Sequence, residues 1–512
     1  MTATPVPAAP VVGAAVTGPV GRWTRWSDRL NPILVREVQQ AVKGRVFALT
    51  VIAALLVTVA IAASVANRYE PGGSSGRGAF AAGLATLMPL ILFIVPMQAY
   101  QSMRLEMRSG IVEQLLLSRL RPLRILTGKL QAALVQFVIY VSVMSPLLAT
   151  SYLLRGVDVP TIVISLVLAA LACVLATMFA ISSAAQGALP GLQAIANLAT
   201  AFGLGMAAFG AVGFVGSGAY AEAIGWLLRS GDFWAVMSAI VLVTLLGCVL
   251  SMLAAQSFLL HAFENKATGF RIYLFAVPVL ACTWLYACID PAYRDEALAV
   301  LLFGLLLLGV LFGVFFVTEQ GRLSPRLQAH APRGPLAGLC AAPFLPGRDR
   351  GTACFLLYLL LLGALAFFAP RVSAANRDVE VIARMGLMTA VYALVYFGIG
   401  RWLRSRLPAS VTGNHVARFL LPLTLFLGII APLLIDAFVR RDVGEWHPGH
   451  LLNPFLTIAE FAFRSERWEA AQSSFLVALA LLALLQLPAC VRGVREVLVA
   501  GSAARARERG DG

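Results

Sequence analysis

The chain has 512 residues, of which 59% are hydrophobic and only 13% are charged. Soluble domains carry about a quarter charged residues, so this composition excludes an ordinary soluble protein and indicates a polytopic membrane protein. The formal net charge of +15 is explained by basic residues retained at the cytoplasmic face and by anionic lipid headgroups. We therefore expect membrane lipids as partners and no nucleic acid. Most of the cysteines lie inside apolar runs, which predicts neither disulfides nor a metal site.

The first 27 residues are rich in Ala, Pro and Val and end in a basic segment, which predicts a disordered, basic tail. Asn31 followed by Pro32 is a cap and first-turn signal for a helix. From there Leu34, Val38 and Val42 form an apolar stripe, opposite polar residues. Such a helix is typical of the membrane interface.

A membrane-spanning helix needs about 20 apolar residues, and twelve runs of that kind follow. They lie near 46–66, 79–100, 126–153, 161–182, 190–215, 234–260, 271–289, 296–317, 352–370, 385–402, 417–438 and 471–491. With both termini inside, 28 of the 40 Lys and Arg fall on cytoplasmic segments and 12 on outer ones. The sequence therefore predicts an all-α protein with about twelve spans and cytoplasmic N- and C-termini.

A charged stretch from Met103 to Lys129 separates the second and third spans. Gly110 divides it into two short amphipathic pieces. The second piece places Ile111, Leu115 and Leu116 along one helical side, while Glu113 projects from another. This pattern predicts a short cytoplasmic helix that is suited to docking on a soluble partner, although an ordinary positive-inside loop explains the charges as well.

This stretch resembles the cytoplasmic loop of ABC-2 type transporter permeases in residue type, in spacing and in position after the second span. The segment from Asn31 to Glu37 also resembles the start of the first span in that family, while the resemblance is thin beyond residue 260. The residues that carry the loop resemblance are Glu106, Arg108, Ser109, Gly110, Glu113, Leu115, Leu116, Pro122, Gly128 and Lys129.

The resemblance implies that this loop carries a coupling helix that sits in a cleft of a separate ATP-hydrolysing subunit. It implies an exporter working by alternating access, in which Arg108 and Glu113 contact the ATPase and Gly110 allows the turn. Thr127-Gly128-Lys129 lacks the upstream glycine of a phosphate-binding loop, and no such loop occurs in the sequence. We therefore expect this chain not to be an enzyme and to hold no cofactor, with ATP bound by the partner.

Typical members of the family have six spans and work as dimers, whereas this chain has about twelve. We predict a six-span domain over 28–262, a second one over 263–495 and a basic cytoplasmic tail over 496–512. Glu319-Gln320 after the eighth span faintly echoes Glu113-Gln114 after the second, and chance explains the echo equally well. A homodimer, a second permease chain and the ratio of permease to ATPase stay open.

Two other function classes stay open. One is an integral-membrane enzyme acting on a lipid or glycan, with its site in the outer loop around Asp442, Glu445, His447 and His450. The other is an ATP-independent carrier, which the near absence of ionisable residues from the span interiors disfavours if coupling ions are needed. The abundance of Ala, Leu and Arg is typical of a bacterial protein from a GC-rich genome, and we expect the inner (plasma) membrane as its location.

Overall fold

The structure is a computed structural model, and it describes part of the chain. The described residues are 31–67, 75–117, 122–154, 157–186, 190–260, 264–319, 321, 323–368, 377–407, 411–437 and 448–509. Every regular element within these ranges is helical. The predicted tail at residues 1–27 lies outside them.

Twelve of the described helices are long and apolar enough to cross a membrane. The predicted all-α fold with about twelve spans is therefore confirmed, whereas the predicted orientation in the membrane stays a prediction. In chain order, spans 1 to 12 are the helices Arg45–Asn67, Ser75–Pro89 continuing to Arg108, Pro122–Leu153, Val159–Ala184, Pro190–Gly216, Phe233–Leu259, Thr268–Cys288, Arg294–Val317, Arg348–Phe368, Arg377–Arg406, Val411–Ile435 and Ser465–Arg509.

Shorter helices stand between or before the spans. They are α1 (Pro32–Lys43), α2 (Ile111–Leu117), α3 (Ala219–Arg229), α4 (Pro325–Ala329), α5 (Pro335–Ala341) and α6 (Pro454–Phe463).

The chain forms two compact units, Met1–Trp226 and Leu227–Gly512. Spans 1 to 5 belong to the first unit and spans 6 to 12 to the second. By packing, the sixth span thus groups with the second unit. The division after residue 262 was drawn from the six-span family pattern, and it stays a prediction.

Span 2 is the central helix of the first unit and packs against spans 1, 3, 4 and 5. It contains a π-helical turn at Leu90–Ile94, in which the Val95 amide donates to the Leu90 carbonyl. Pro96 follows at once and has no amide to donate, so the widened turn lies where the regular hydrogen-bond ladder is interrupted.

Hydrogen bonds between side chains join the spans of the first unit inside the apolar region. The Thr50 and Tyr140 hydroxyls lie 2.6 Å apart and join spans 1 and 3. The Tyr100 hydroxyl donates to Asn197 and joins spans 2 and 5. These contacts are of the kind that holds membrane helices together, so Tyr140 and Asn197 act here as links between helices.

In the second unit, span 8 packs against spans 7, 9 and 10. Aromatic side chains fill the space between them: Phe355 and Phe397 meet edge to face with ring centroids 4.6 Å apart. The Tyr358 hydroxyl reaches across from span 9 and donates to the Leu305 carbonyl of span 8 at 2.7 Å. Such pairs add to the packing energy of spans that lack a hydrophobic driving force within lipid.

The loop between spans 8 and 9 is rich in Pro, Gly and Arg, a composition that predicts mostly irregular structure. That expectation is wrong for its described residues, which contain α4, α5 and a 3₁₀ turn at Ala342–Phe344. A small apolar core of Leu323, Ala342 and Val497 holds the loop against the end of the twelfth helix. The first part of the predicted 496–512 tail is thus helical, and Val497 within it is fully buried.

Candidate functional site

The lead-in helix α1 docks on the start of span 3. The Asn31 side chain accepts from the Ile33 amide at 3.1 Å, which caps α1 as the sequence predicted. Its amide nitrogen donates to the Arg124 carbonyl at 2.8 Å, across 93 residues of chain. A methyl group at Gly128 would lie 2.9 Å from Asn31 and Ile33, so only glycine lets α1 approach this closely.

The side of α1 that faces the protein differs from the predicted stripe. Ile33 and Glu37, one helical turn apart, are the buried residues of α1. Val42, at the end of the stripe Leu34, Val38 and Val42, is 47% exposed. The contact side of α1 therefore carries a glutamate, and the membrane-interface location predicted for the stripe stays a prediction.

Glu37 is buried because it joins a group of charged residues from three helices. The Lys129 ammonium of span 3 lies 2.7 Å from Glu37 Oε1 and 2.9 Å from Glu106 Oε2 of span 2. It also donates to Ser102 Oγ at 2.7 Å, and that hydroxyl donates to Glu37 Oε2 at 2.8 Å. Arg36 of α1 pairs with Glu106 as well. We call Arg36, Glu37, Ser102, Glu106 and Lys129 the inner cluster.

The inner cluster balances its charge. Two cations meet two carboxylates, and the Lys129 ammonium donates to Glu37 Oε1 and Ser102 Oγ and forms an ion pair with Glu106 Oε2. The Lys129 side chain is 1% exposed, and an unpaired buried charge of this kind costs several kcal/mol. Ser102 and Glu106 are four residues apart and so share one face of span 2. The cluster therefore fixes α1, the end of span 2 and the start of span 3 to one another.

Arg104 lies near the same end of span 2, but its side chain contacts the C-terminal end of span 4. Its Nη1 donates to the carbonyl of Gln186 at 3.2 Å and is 3.5 Å from that of Ala184. These carbonyls lie at the C-terminal end of span 4, where a cation interacts favourably with the unpaired carbonyls and the helix dipole. Span 2 thus contacts three neighbouring helices through polar groups at this end.

The loop from span 2 to span 3 turns at Gly110, as predicted. Gly110 has φ of +72°, a left-handed conformation that favours glycine. Arg108, Ser109 and Glu113 are exposed, and Leu117 at the end of α2 is 80% exposed. Residues 118–121 lie outside the described residues.

The apolar residues of α2 are buried to different degrees. Val112 is its buried residue, whereas Ile111 is 37% exposed. Leu115 and Leu116 are half-buried. Helix α2 therefore rests on the protein through Val112 and leaves its polar side and Leu117 uncovered.

The ten residues selected from the sequence fall into two groups. Glu106, Gly128 and Lys129 are brought together inside the protein, where they hold α1 in place. Arg108, Ser109 and Glu113 lie at the surface, and Pro122 begins span 3. Sequence reasoning missed Arg36, Glu37 and Ser102 as members of the site. The available signal was the Arg36-Glu37 pair in an amphipathic helix, in which Glu37 lies beside the apolar stripe and not among the polar residues opposite it.

The outer loop proposed for an enzyme has a structural role in its described part. His450 pairs with Asp436, and both side chains are buried. The His450 carbonyl accepts from Thr457 Oγ1 at 2.8 Å. Asn453 caps α6 through the amides of Phe455 and Leu456. Asp442, Glu445 and His447 lie outside the described residues, and no cluster of three metal-ligating side chains occurs within them.

Comparisons of the chain with protein-family models, with curated proteins and with solved structures found no match. The chain is a multi-pass, all-helical membrane protein, and its function is argued below from the loop and the inner cluster.

Proposed function

We propose that this chain is the membrane-spanning permease subunit of an ATP-driven exporter of the ABC-2 type, whose ATPase is a separate subunit. In this proposal the chain itself is not an enzyme and binds no cofactor, because the partner binds and hydrolyses ATP. The membrane in question is the inner membrane of a bacterial cell.

The proposal rests on one observation. A short exposed helix lies between two spans whose ends are joined by the ion pairs of the inner cluster. Helix α2 begins directly after the Gly110 turn and leads towards Pro122, where span 3 starts. On either side of it, Glu106 and Lys129 are held together in the inner cluster. A push on α2 would therefore move spans 2 and 3, with α1, as one body.

The surface of α2 suits a protein partner. Arg108 and Glu113 are exposed and of opposite charge, and Leu117 offers an apolar contact at 80% exposure. An apolar centre with polar groups around it is the usual composition of a protein interface. In the proposal, Arg108 and Glu113 contact the ATPase, while Glu106, Gly128 and Lys129 transmit motion without touching it.

The two other function classes have less support. His450 is engaged with Asp436 inside the protein, which supports a structural part for this end of the outer loop. The polar residues Tyr140 and Asn197 bond between helices, and so they do not form a free polar path. Neither observation tests an enzyme or a carrier directly, and no described feature favours either one.

The experiment is purification of the tagged chain from its native membranes in mild detergent, followed by an ATPase assay on the eluate. We expect a co-purifying ATPase with a phosphate-binding loop. Glu113→Lys should lose this partner, because a charge reversal at an interface is strongly unfavourable, while the amount of inserted chain stays the same.

The matched control is Glu222→Lys. Glu222 is an exposed glutamate on α3, at the end of span 5 that the charge distribution predicts to be outside. This variant should keep the partner. If Glu113→Lys retains the ATPase as well as Glu222→Lys does, the docking surface on α2 is wrong. If the unmodified chain elutes alone while other membrane complexes survive, the permease assignment loses its basis.

A further inference from the structure

Helix α5 presents an apolar surface away from the protein. Together with the following turn it covers Pro335–Phe344, a stretch without a charged or amide side chain. Leu336 is 77% exposed and Leu339 is 50% exposed. Gly338 and Ala342 form the buried side. A fully apolar outer surface on a loop helix is unfavourable in water, so apolar surroundings are expected to cover it.

Ion pairing fixes the depth of this helix in the membrane. Arg350 is the last charged residue before the apolar run of span 9, so it marks the edge of the hydrocarbon layer. Its Nη1 lies 2.6 Å from Glu496 Oε2 of the twelfth helix, which places Glu496 at the same level.

Helix α5 packs on the twelfth helix just beyond that level. A methyl group at Gly338 would lie 2.9 Å from Leu498, and one at Gly501 would lie 2.2 Å from the Pro332 carbonyl oxygen. At about 1.5 Å of rise per residue, Leu498 and Gly501 stand about 3 and 7.5 Å beyond Glu496. The headgroup layer extends about 5–7 Å beyond the hydrocarbon on each side. Gly338 of α5 is therefore at the level of the headgroup layer, and Pro332 before it is at the outer limit of that layer.

The lipid-facing surface of span 12 continues to this depth. Val499 is 58% exposed and Leu481 is 55% exposed. They are five helical turns apart and so lie on one face. Arg492 and Arg495, about one turn or less from Glu496, are also exposed, although Arg492 also pairs with Asp349 at 3.6 Å. Apolar side chains with arginines at the same level match a phospholipid surface, in which acyl chains lie beside phosphates.

We propose that α5 is an interfacial anchor of the second unit, which inserts Leu336 and Leu339 into the phospholipid leaflet on its side of the membrane. Arg492 and Arg495 lie against the lipid phosphates. A soluble protein fits this surface less well, because a protein interface carries a polar rim and α5 has none. The proposal requires only that the chain spans a membrane, so it stands or falls independently of the transporter proposal.

Cys340 offers a direct test, because it is the exposed one of the seven cysteines, all of which are described. The purified full chain is labelled there with an environment-sensitive maleimide and reconstituted into vesicles of phosphatidylglycerol and phosphatidylcholine. The lipids carry bromine near the headgroup in one set of vesicles and none in the other. The Cys340→Ser chain supplies the background of labelling elsewhere.

We expect brominated lipid to remove most of the Cys340 fluorescence. The matched position is Arg505→Cys in the Cys340→Ser chain, since Arg505 is exposed and stands about 13 Å beyond Glu496. A label at position 505 should lose little of its fluorescence in the brominated vesicles. An unquenched Cys340 label with the emission of a water-exposed dye would overturn the proposal, and so would equal quenching at the two positions.

A double substitution, Leu336→Glu with Leu339→Glu, gives a second readout on the same label. Carboxylates at these two positions would not insert among acyl chains and would be repelled by the anionic phosphates, so quenching at Cys340 should fall towards the level at position 505. Leu336→Met with Leu339→Met is the matched apolar control and should retain full quenching. Unchanged quenching in the glutamate variant would contradict insertion of the two leucines.

Discussion

The loops after span 2 and after span 8 each begin near a glutamate and lead into a span that starts with a buried cation. In the first unit the glutamate is Glu106 and the cation is Lys129. In the second unit the glutamate is Glu319 and the cation is Arg350. In the first unit, Lys129 and Glu106 bond to each other, and the loop between them is left at the surface. In the second unit the charged residues hold the loop itself.

Arg271 shows how the second loop is held. Its guanidinium donates to the carbonyls of Pro343 and Leu345 at 2.8 and 2.5 Å, and it pairs with Glu319 at 2.8 Å. Glu496 accepts from the Leu323 amide at 2.9 Å at the other end of the loop. The same balance of two cations and two carboxylates therefore serves different purposes. The first loop is left at the surface, and the second is fastened to its own unit.

The comparison also bears on the suspected internal repeat. The sequence echo aligned Glu319 with Glu113, but Glu113 is exposed, whereas Glu319 pairs with a fully buried arginine. In its surroundings Glu319 is the counterpart of Glu106. In both units, moreover, the even-numbered span at whose end this glutamate lies packs against the span before it and the two after it. A search for an internal repeat should therefore align Glu106 with Glu319 and span 2 with span 8.

The largest effect is expected at Arg271. Arg271→Met would leave Glu319 without its cation, with only the Gly347 amide as donor, and would leave the Pro343 and Leu345 carbonyls without the guanidinium. Loss of one partner of a buried pair costs about 3–5 kcal/mol. The free energy of unfolding in detergent should fall by that amount, and residues 323–347 should become sensitive to protease. Arg326→Met is the control, because the Arg326 side chain is 65% exposed and its loss should change stability by less than about 1 kcal/mol. Equal effects of the two variants would show that the loop is not held by Arg271.

Lys129→Met should have the second-largest effect on the free energy of unfolding. It leaves Glu37 and Glu106 buried with Arg36 alone, and we expect a loss of about 3 kcal/mol in the same unfolding measurement. Adding Glu37→Gln removes the surplus negative charge and should restore much of the stability. If the double variant is as unstable as the single one, charge balance is not what holds the inner cluster.

Gly128→Ala should have a smaller effect with a defined structural result. The added methyl group would meet Asn31 and Ile33 at 2.9 Å, and overpacking of this kind costs about 1–3 kcal/mol. Because α1 must move away, a disulfide engineered between α1 and span 3 should form more slowly. Gly203→Ala, where an added Cβ meets nothing within 4 Å, should leave stability unchanged. A normal crosslinking rate in Gly128→Ala would contradict the close seating of α1.

The spans, α1 and the Gly110 turn could be predicted from the sequence because each depends on local signals: an apolar run, an Asn-Pro cap and a glycine between two amphipathic pieces. The inner cluster could not, because Glu37 and Lys129 meet across 92 residues of chain and no periodicity records such a pairing. Charged residues beside a span are usually solvated, so Glu106 and Lys129 were grouped with the loop. Likewise, Arg271 and Arg350 order a Pro- and Gly-rich loop through contacts with its carbonyls, which composition does not reveal.

The measurement that tests the central claim most directly is photo-crosslinking in the native membrane from two exposed leucines. A photoreactive amino acid is placed at Leu117, which is 80% exposed, or at Leu336, which is 77% exposed. The account predicts that position 117 crosslinks to a polypeptide with a phosphate-binding loop and that position 336 crosslinks to lipid. The account would be contradicted if both positions crosslinked to the same polypeptide, or if position 117 crosslinked to no polypeptide.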